Sequence, residues 1–203
     1  MGAYPDIRFV PVDFRGVNIH LRRFLAQMEH VTPASDICAD TFMGNDTLVL
    51  WRNRIADWFL KSCSEGYLCC FDDDAIPVDE TLAMLDSKAD VVGCHFFAKT
   101  GDVGHGMDGT FSMAAYKVSR NALLKMAVPR YRFVYNEEHT KAMMCECLWF
   151  CKQAREAGFH PVKTGVIAHR MSVAAIPSSD TSESCKIKFL HQLGKVLVQN
   201  TEE

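Results

Sequence analysis

Three adjacent aspartates, Asp72 to Asp74, are the residues whose types and spacing point most directly to chemistry. Neighbouring carboxylates repel one another and raise each other's pKa unless a cation neutralises them. Carboxylate oxygens are also the ligands that hard divalent cations prefer. The triplet therefore predicts a cation site. A solvated acidic loop that caps a helix is the alternative interpretation of the same residues.

The triplet directly follows the apolar run 67–71, which is typical of a buried parallel strand whose carboxyl end reaches solvent. Ligands of open α/β sheets bind beyond the carboxyl ends of the strands. Because side chains alternate along a strand, we expect Asp72 and Asp74 to point to one side and Asp73 to the other. The outer two carboxylates are thus the predicted cation ligands.

Short apolar runs alternate with amphipathic segments along the chain, which predicts an α/β fold with a mostly parallel sheet and helices on both faces. Strands are predicted at residues 7–12, 47–50, 67–71, 89–97, 111–118 and 162–169. Helices are predicted to begin near residues 19, 55, 77, 120, 138 and 183, the fifth of them continuing to residue 157. We expect a single domain over residues 1–203, in which 177–203 forms a polar loop and a last helix.

The composition fits a soluble globular protein. The 203 residues carry 22 basic and 25 acidic side chains, so the formal net charge of −3 does not favour a protein that binds nucleic acid chiefly by neutralising phosphates. The odd number of nine cysteines favours reduced thiols over a disulfide framework. Because the sequence has neither a leader-like start nor a run of about 18 apolar residues, we expect a cytoplasmic protein without a membrane span.

Four motifs, in the same order and at similar spacing, resemble the GT-A glycosyltransferases. They are the DxD-like triplet, Arg52-Asn53 at the start of a helix that leads into the triplet's strand, the stretch 146–159, and the strand 164–169 that ends in His169. The resemblance is to family-2-like members, and short phage and environmental glycosyltransferase-like proteins look most similar. It covers the chain from about residue 7 to residue 172.

The resemblance implies a metal-dependent enzyme of GT-A fold that moves a sugar from a nucleoside-diphosphate sugar, with UDP favoured, to an acceptor hydroxyl. It implies Mn²⁺ or Mg²⁺ held by Asp72, Asp74 and His169. Residues implied to bind the nucleotide are Arg52, Asn53, Asp72, Asp73, Pro11 and Asp13. Taken alone, Arg52 is equally a surface residue at a helix start, and His169 a structural histidine.

The catalytic residues implied are Glu146, Asp74 and Glu138. Glu146-Cys147 stands where the family has Glu-Asp, so the carboxylate that commonly acts as the base of inverting members is absent from its usual position. We expect a carboxylate of this segment to replace it, Glu146 first, with Glu137 or Glu138 as substitutes. A retaining reaction without such a base is the alternative.

The acceptor is the least determined partner. The resemblance to phage proteins makes hydroxymethylated pyrimidine in DNA, in a bacterial or phage-infected host, a hypothesis. Its predicted contact is the basic strip 117–132, which a solvated helix face would also explain.

A nucleotide- or cation-binding module without turnover and a metal-dependent phosphohydrolase or nuclease are the alternative functions. The glycine-rich loop 101–109, with His105 and Asp108, is interpreted as a mobile or acceptor-side loop.

Three cysteines lie in or directly before the stretch 146–159, which resembles the family's base motif. Cys147 and Cys151 share a helix face at i and i+4, and Cys145 does not, so no zinc site is expected there. Packing in the core is their predicted role.

Overall fold

A computed structural model describes residues 3–13, 16–39, 47–98, 101–102, 110–138 and 142–169. The strands are β1 (Ala3–Val12), β2 (Met28–Val31), β3 (Tyr67–Asp72), β4 (Ala75–Pro77), β5 (Val91–Ala98), β6 (Gly101–Asp102), β7 (Ala115–Ser119), β8 (Val134–Tyr135), β9 (Ala142–Met144) and β10 (Val162–His169). The helices are α1 (Ile19–Leu25), α2 (Ala34–Ile37), α3 (Thr47–Ser62), α4 (Leu82–Asp86), α5 (Arg120–Lys125) and α6 (Glu146–Glu156). A short 3-10 turn, Asp79–Thr81, precedes α4.

The described strands form one eight-stranded sheet and a small β8–β9 ribbon. The order in the sheet is β2-β1-β3-β7-β5-β10-β4, with β6 paired to β5. Pairing directions show that β1, β2, β3, β5 and β10 run the same way, whereas β4, β6 and β7 run against them. The predicted mixed α/β fold with a mostly parallel sheet is therefore confirmed.

Helices cover both faces of the sheet, as predicted, because side chains alternate along the central strands. On one face, Leu68 and Cys70 of β3 pack in a core with α3, α5 and α6. On the other face, Cys69 and Phe71 pack with α1 and α4. β3 is consequently buried on both sides, and only its two end residues, Tyr67 and Asp72, are partly exposed.

The strand predicted at residues 47–50 is wrong, since these residues form the first turn of α3. A short apolar run does not distinguish a strand from a buried helical segment. Arg52, Ile55 and Phe59, which follow at helical spacing, are all fully buried. The run therefore continues the buried face of a 16-residue helix.

Two predicted helix starts are also wrong. Pro77 ends β4 instead of opening a helix. The helix predicted from residue 138 begins only at Glu146, because Cys145 is extended (φ −79°, ψ 167°) and β9 precedes it. Cys147 and Cys151 do pack in the core, as predicted. The predicted C-terminal loop and helix, and most of the loop 101–109, lie outside the described residues.

Candidate functional site

The aspartate triplet lies where β3 ends and the chain turns back into β4. Asp72 is the last residue of β3, and Asp73 and Asp74 form the turn. The alternation of side chains along the strand therefore ends at Asp72. The prediction that alternation points Asp72 and Asp74 to the same side is thus without its basis. The side chain of Asp72 is 28% exposed, Asp73 is buried and Asp74 is half-buried.

Asn18 holds this turn in place. Its side-chain Nδ2 donates to the carbonyl oxygens of Asp73 (2.9 Å) and Ala75 (2.7 Å), and its Oδ1 accepts from the backbone N–H of Leu21 as the N-cap of α1. One amide thus joins the start of α1 to the acidic turn. Sequence reasoning missed this residue, although an asparagine just before a helical segment is a common N-cap signal.

Arg52 connects the triplet to Glu146. Its guanidinium donates to Asp72 Oδ1 through Nη2 and to Glu146 Oε1 through Nη1, each at 2.8 Å, and Nη2 also approaches the Met113 carbonyl oxygen at 3.3 Å. Only 1% of the Arg52 side chain is exposed. The alternative interpretation of Arg52 as a surface residue is therefore wrong, and α3, β3 and α6 are tied together by one buried cation.

The pKa shifts of this cluster have opposing causes. Burial by itself would lower the pKa of Arg52, but the Asp72 and Glu146 carboxylates raise it above its ordinary value, so Arg52 stays charged. Burial raises the pKa of Asp72, against the lowering effect of Arg52, and the neighbouring Asp74 adds to the rise. A bound divalent cation would favour the ionised form of Asp72. The side-chain ligands of the turn are all oxygens, which Mn²⁺ and Mg²⁺ prefer, so the turn fits either cation.

The backbone brings the other predicted metal ligand and β1 to the same edge. His169 ends β10 and lies opposite Ala75, the residue after Asp74, in the antiparallel pair with β4. Pro11 is buried in β1 opposite Phe71, and Val12 lies opposite Asp72. The end of β10 is thus adjacent to the start of β4, directly after the triplet, and the end of β1 is adjacent to the end of β3.

Two predicted nucleotide-binding residues have partners within the protein. Asp13 Oδ1 accepts from the Ser35 backbone N–H (2.9 Å) and Oδ2 from Ser35 Oγ (2.7 Å), which fixes the start of α2. Both amide hydrogens of Asn53 are donated, to the carbonyl oxygens of Val49 and Tyr131. Asn53 therefore ties α3 to the segment near Tyr131 and has no amide hydrogen left for a nucleotide.

Glu138 does not lie on a helix. It is exposed in the segment between β8 and β9, where its Oε2 accepts from Asn136 Nδ2 at 3.2 Å. Its assignment as a substitute base stays a prediction.

The basic strip 117–132 does not form a continuous surface. Lys117 is 1% exposed and Arg130 is 5% exposed, the latter paired with Asp57 at 2.8 Å. Arg120 donates to four carbonyl oxygens, those of Phe59, Leu60, Cys63 and Glu65. Three of the five cations thus point into the protein, so the premise of a continuous basic surface is wrong, and the DNA contact itself stays a prediction.

No protein-family model and no curated protein matches this sequence. Solved structures resemble the fold. The crystal structure of A197 from STIV aligns at a TM-score of 0.50 with 17% identity, covering 81% of each chain. A mutant of Drosophila β-1,4-galactosyltransferase 7 in complex with manganese, UDP-Gal and xylobiose aligns at a TM-score of 0.46 with 16% identity, covering 88% of this chain and 77% of that one. At these identities the likeness concerns the fold alone. Among the described residues, no helix is both long and apolar enough to cross a membrane.

Proposed function

We propose that this protein is a metal-dependent glycosyltransferase that moves a sugar from a nucleoside-diphosphate sugar, with UDP favoured, to an acceptor hydroxyl. The observation that carries the proposal is the acidic turn at the carboxyl end of β3, tied through buried Arg52 to Glu146 on α6. This edge of a mostly parallel sheet is where α/β folds bind their ligands.

Asp74 and Asp72 would hold Mn²⁺ or Mg²⁺, with His169 as a third candidate from the adjacent strand end. The cation, when bound, supplies a Lewis acid for the charge that develops on the leaving diphosphate. Arg52 acts as a positioning residue, because both of its ion pairs hold carboxylates of the site and its own surface is buried. Asn18 positions the turn that carries Asp73 and Asp74.

Glu146 is the proposed base. Its Oε1 accepts from Arg52 at 2.8 Å, so we assign Oε2 as the oxygen that takes the proton of the acceptor hydroxyl. The hydrogen bond with Cys145 and burial raise the pKa of Cys147, so without a bound cation this thiol stays protonated and cannot serve as the base. An inverting reaction follows from this assignment.

Incubation with Mn²⁺ and a panel of nucleotide sugars tests the proposal by release of the free nucleotide. A glycosyltransferase hydrolyses at least one donor slowly without acceptor and faster with the correct one. Thermal stabilisation without nucleotide release would instead indicate a binding module. Release of phosphate or nicking of DNA without a sugar donor would indicate a phosphohydrolase or nuclease. The acceptor panel includes saccharides beside hydroxymethylated DNA, because the basic strip is largely buried.

A further inference from the structure

A second group of metal-ligating side chains lies at the N-terminus of α6. One ligand atom each from Cys145, Glu146 and Cys147 lie within 4.8 Å of one another. Cys145 is the N-cap residue, and its extended backbone sets it outside the helical spiral on which Cys147 and Cys151 share a face. The helical arrangement assumed from the sequence separated Cys145 from Cys147, and the extended cap brings their sulfurs together.

The chemistry of this group differs from that of the aspartate turn. Two thiols and one carboxylate suit a borderline-soft cation such as Zn²⁺, whereas Mg²⁺ and Mn²⁺ prefer oxygen ligands. Ligand atoms at corners of a tetrahedron with the Zn–S distance of about 2.3 Å lie about 3.8 Å apart. The observed spread of 4.8 Å therefore closes on a cation with small side-chain movements.

The surroundings also suit an exchangeable cation. Glu146 and Cys147 are each 8% exposed, and half-buried Cys145 gives access from solvent. Two thiolates balance the two positive charges of Zn²⁺, so binding leaves the net charge of the buried Arg52–Glu146–Asp72 cluster unchanged. Cysteines of the described residues form no disulfide, so none excludes these two sulfurs from a metal.

We propose that Cys145, Glu146 and Cys147 form a thiolate-rich site for Zn²⁺ or a similar thiophilic divalent cation, separate in chemistry from the aspartate turn. Three protein ligands leave a fourth position for water, as in sites that exchange or act on ligands rather than closed structural sites.

Arg52 couples this site to the triplet. It bonds Glu146 Oε1 and Asp72 Oδ1 at 2.8 Å each, so a cation on Glu146 competes with Arg52 for the carboxylate and disturbs its hold on Asp72. On this basis Zn²⁺ reduces the affinity of the acidic turn for Mn²⁺ about tenfold. This regulatory consequence rests on the proposed function, whereas Zn²⁺ binding itself does not.

Titration of the whole protein with Co²⁺, followed by Zn²⁺ competition, tests the binding directly, because thiolate-bound Co²⁺ has a charge-transfer absorption that oxygen-bound Co²⁺ lacks. We expect this absorption in the wild type and its loss on Zn²⁺ addition. Cys145→Ser and Cys147→Ser should weaken Co²⁺ binding about 100-fold. Cys151→Ser, in the same helix one turn further on and buried in the core, is the matched control and should keep the absorption.

Serine is a preferred N-cap residue, so Cys145→Ser keeps the fold and makes its result interpretable, as the melting temperature verifies. The proposal is overturned if the wild type shows no thiolate absorption, or if the absorption survives the double change of Cys145 and Cys147. Equal loss in Cys151→Ser would overturn it as well. None of these readouts requires sugar transfer, so a failure here is distinct from a failure of the proposed glycosyltransferase activity.

Discussion

Cations bind groups at both ends of the parallel strands, which we call the carboxyl edge and the amino edge of the sheet, but their partners differ. Arg52 and Lys117 are buried, and Arg120 is half-buried. At the carboxyl edge, Arg52 pairs with the carboxylates of Asp72 and Glu146. At the amino edge, Lys117 donates to the carbonyl oxygens of Leu85 and Ser87, and Arg120 donates to carbonyl oxygens at the end of α3.

This difference indicates a structural role for the cations of the amino edge and a functional role for the charged groups of the carboxyl edge. The last carbonyls of a helix have no partner within the helix, so Lys117 and Arg120 satisfy groups that any fold must satisfy. The carboxylates at the other edge need no burial for the fold's sake, and their concentration around Arg52 costs desolvation energy. We therefore interpret the carboxylates as the functional groups of the carboxyl edge, and Arg52 as the cation that stabilises them.

Arg52→Met should give the largest loss of stability of any change at either edge. It leaves Asp72 and Glu146 without their counter-charge, and we expect the free energy of unfolding to fall by about 3–5 kcal/mol. Urea denaturation measures this. Adding Asp72→Asn and Glu146→Gln should recover part of the loss, and a triple variant as unstable as Arg52→Met would contradict the electrostatic explanation.

Asn18→Ala should lower both stability and metal affinity. It removes two hydrogen bonds to the turn and the N-cap of α1, so we expect a loss of about 2–3 kcal/mol and Mn²⁺ binding weakened about tenfold. Ser119→Ala is the matched control at the amino edge, since Ser119 caps α5 by accepting from Ala122 at 3.0 Å. If both variants bind Mn²⁺ like the wild type in calorimetric titration, Asn18 is only a cap.

Lys117→Met should cost less, about 1–2 kcal/mol, because methionine keeps the packing and removes a buried charge while two carbonyls lose a donor. Mn²⁺ and nucleotide binding should stay unchanged. A measurable loss of either would show that the two edges are not independent.

The smallest expected effect is the pH dependence that Lys117 adds. Burial lowers the pKa of Lys117 below its ordinary value of 10.5, so between the two pKa values the unfolded chain binds more protons than the folded one. The stability difference between wild type and Lys117→Met should therefore shift in favour of the wild type as pH rises toward 10.5. Denaturation of both proteins across alkaline pH measures the shift, and a constant or opposite difference would contradict it.

The sequence predicted the strand before the triplet, its exposed end and the two-faced sheet, because long apolar runs and side-chain alternation are local properties. It did not predict that Arg52 is buried, since the turn that begins α3 was interpreted as a strand. The helical spacing from Arg52 to Ile55 and Phe59 places Arg52 on the buried face.

The other features that the sequence did not predict depend on hydrogen-bond partners that are distant along the chain. The spacing of residues on a helix can show that a cation is buried, but it does not show which group accepts its hydrogen bonds. Arg52 donates to a carboxylate 20 residues away, whereas Arg120 donates to a carbonyl oxygen 57 residues away. The same holds for Asn18, whose partners lie 55 and 57 residues along the chain. The sulfur of Cys145 lies near that of Cys147 because Cys145 is the extended N-cap residue of α6 and not part of the helix.

Donor turnover by the aspartate variants tests the central claim most directly. With Mn²⁺ and the best nucleotide sugar, nucleotide release should fall at least about 100-fold in Asp74→Asn, nearly as much in Asp72→Asn, and distinctly less in Asp73→Asn, whose side chain is buried. Unchanged melting temperatures verify the fold of each variant. Equal and mild losses at all three positions, or turnover that survives removal of all divalent cations, would contradict a metal-dependent glycosyltransferase site at this turn.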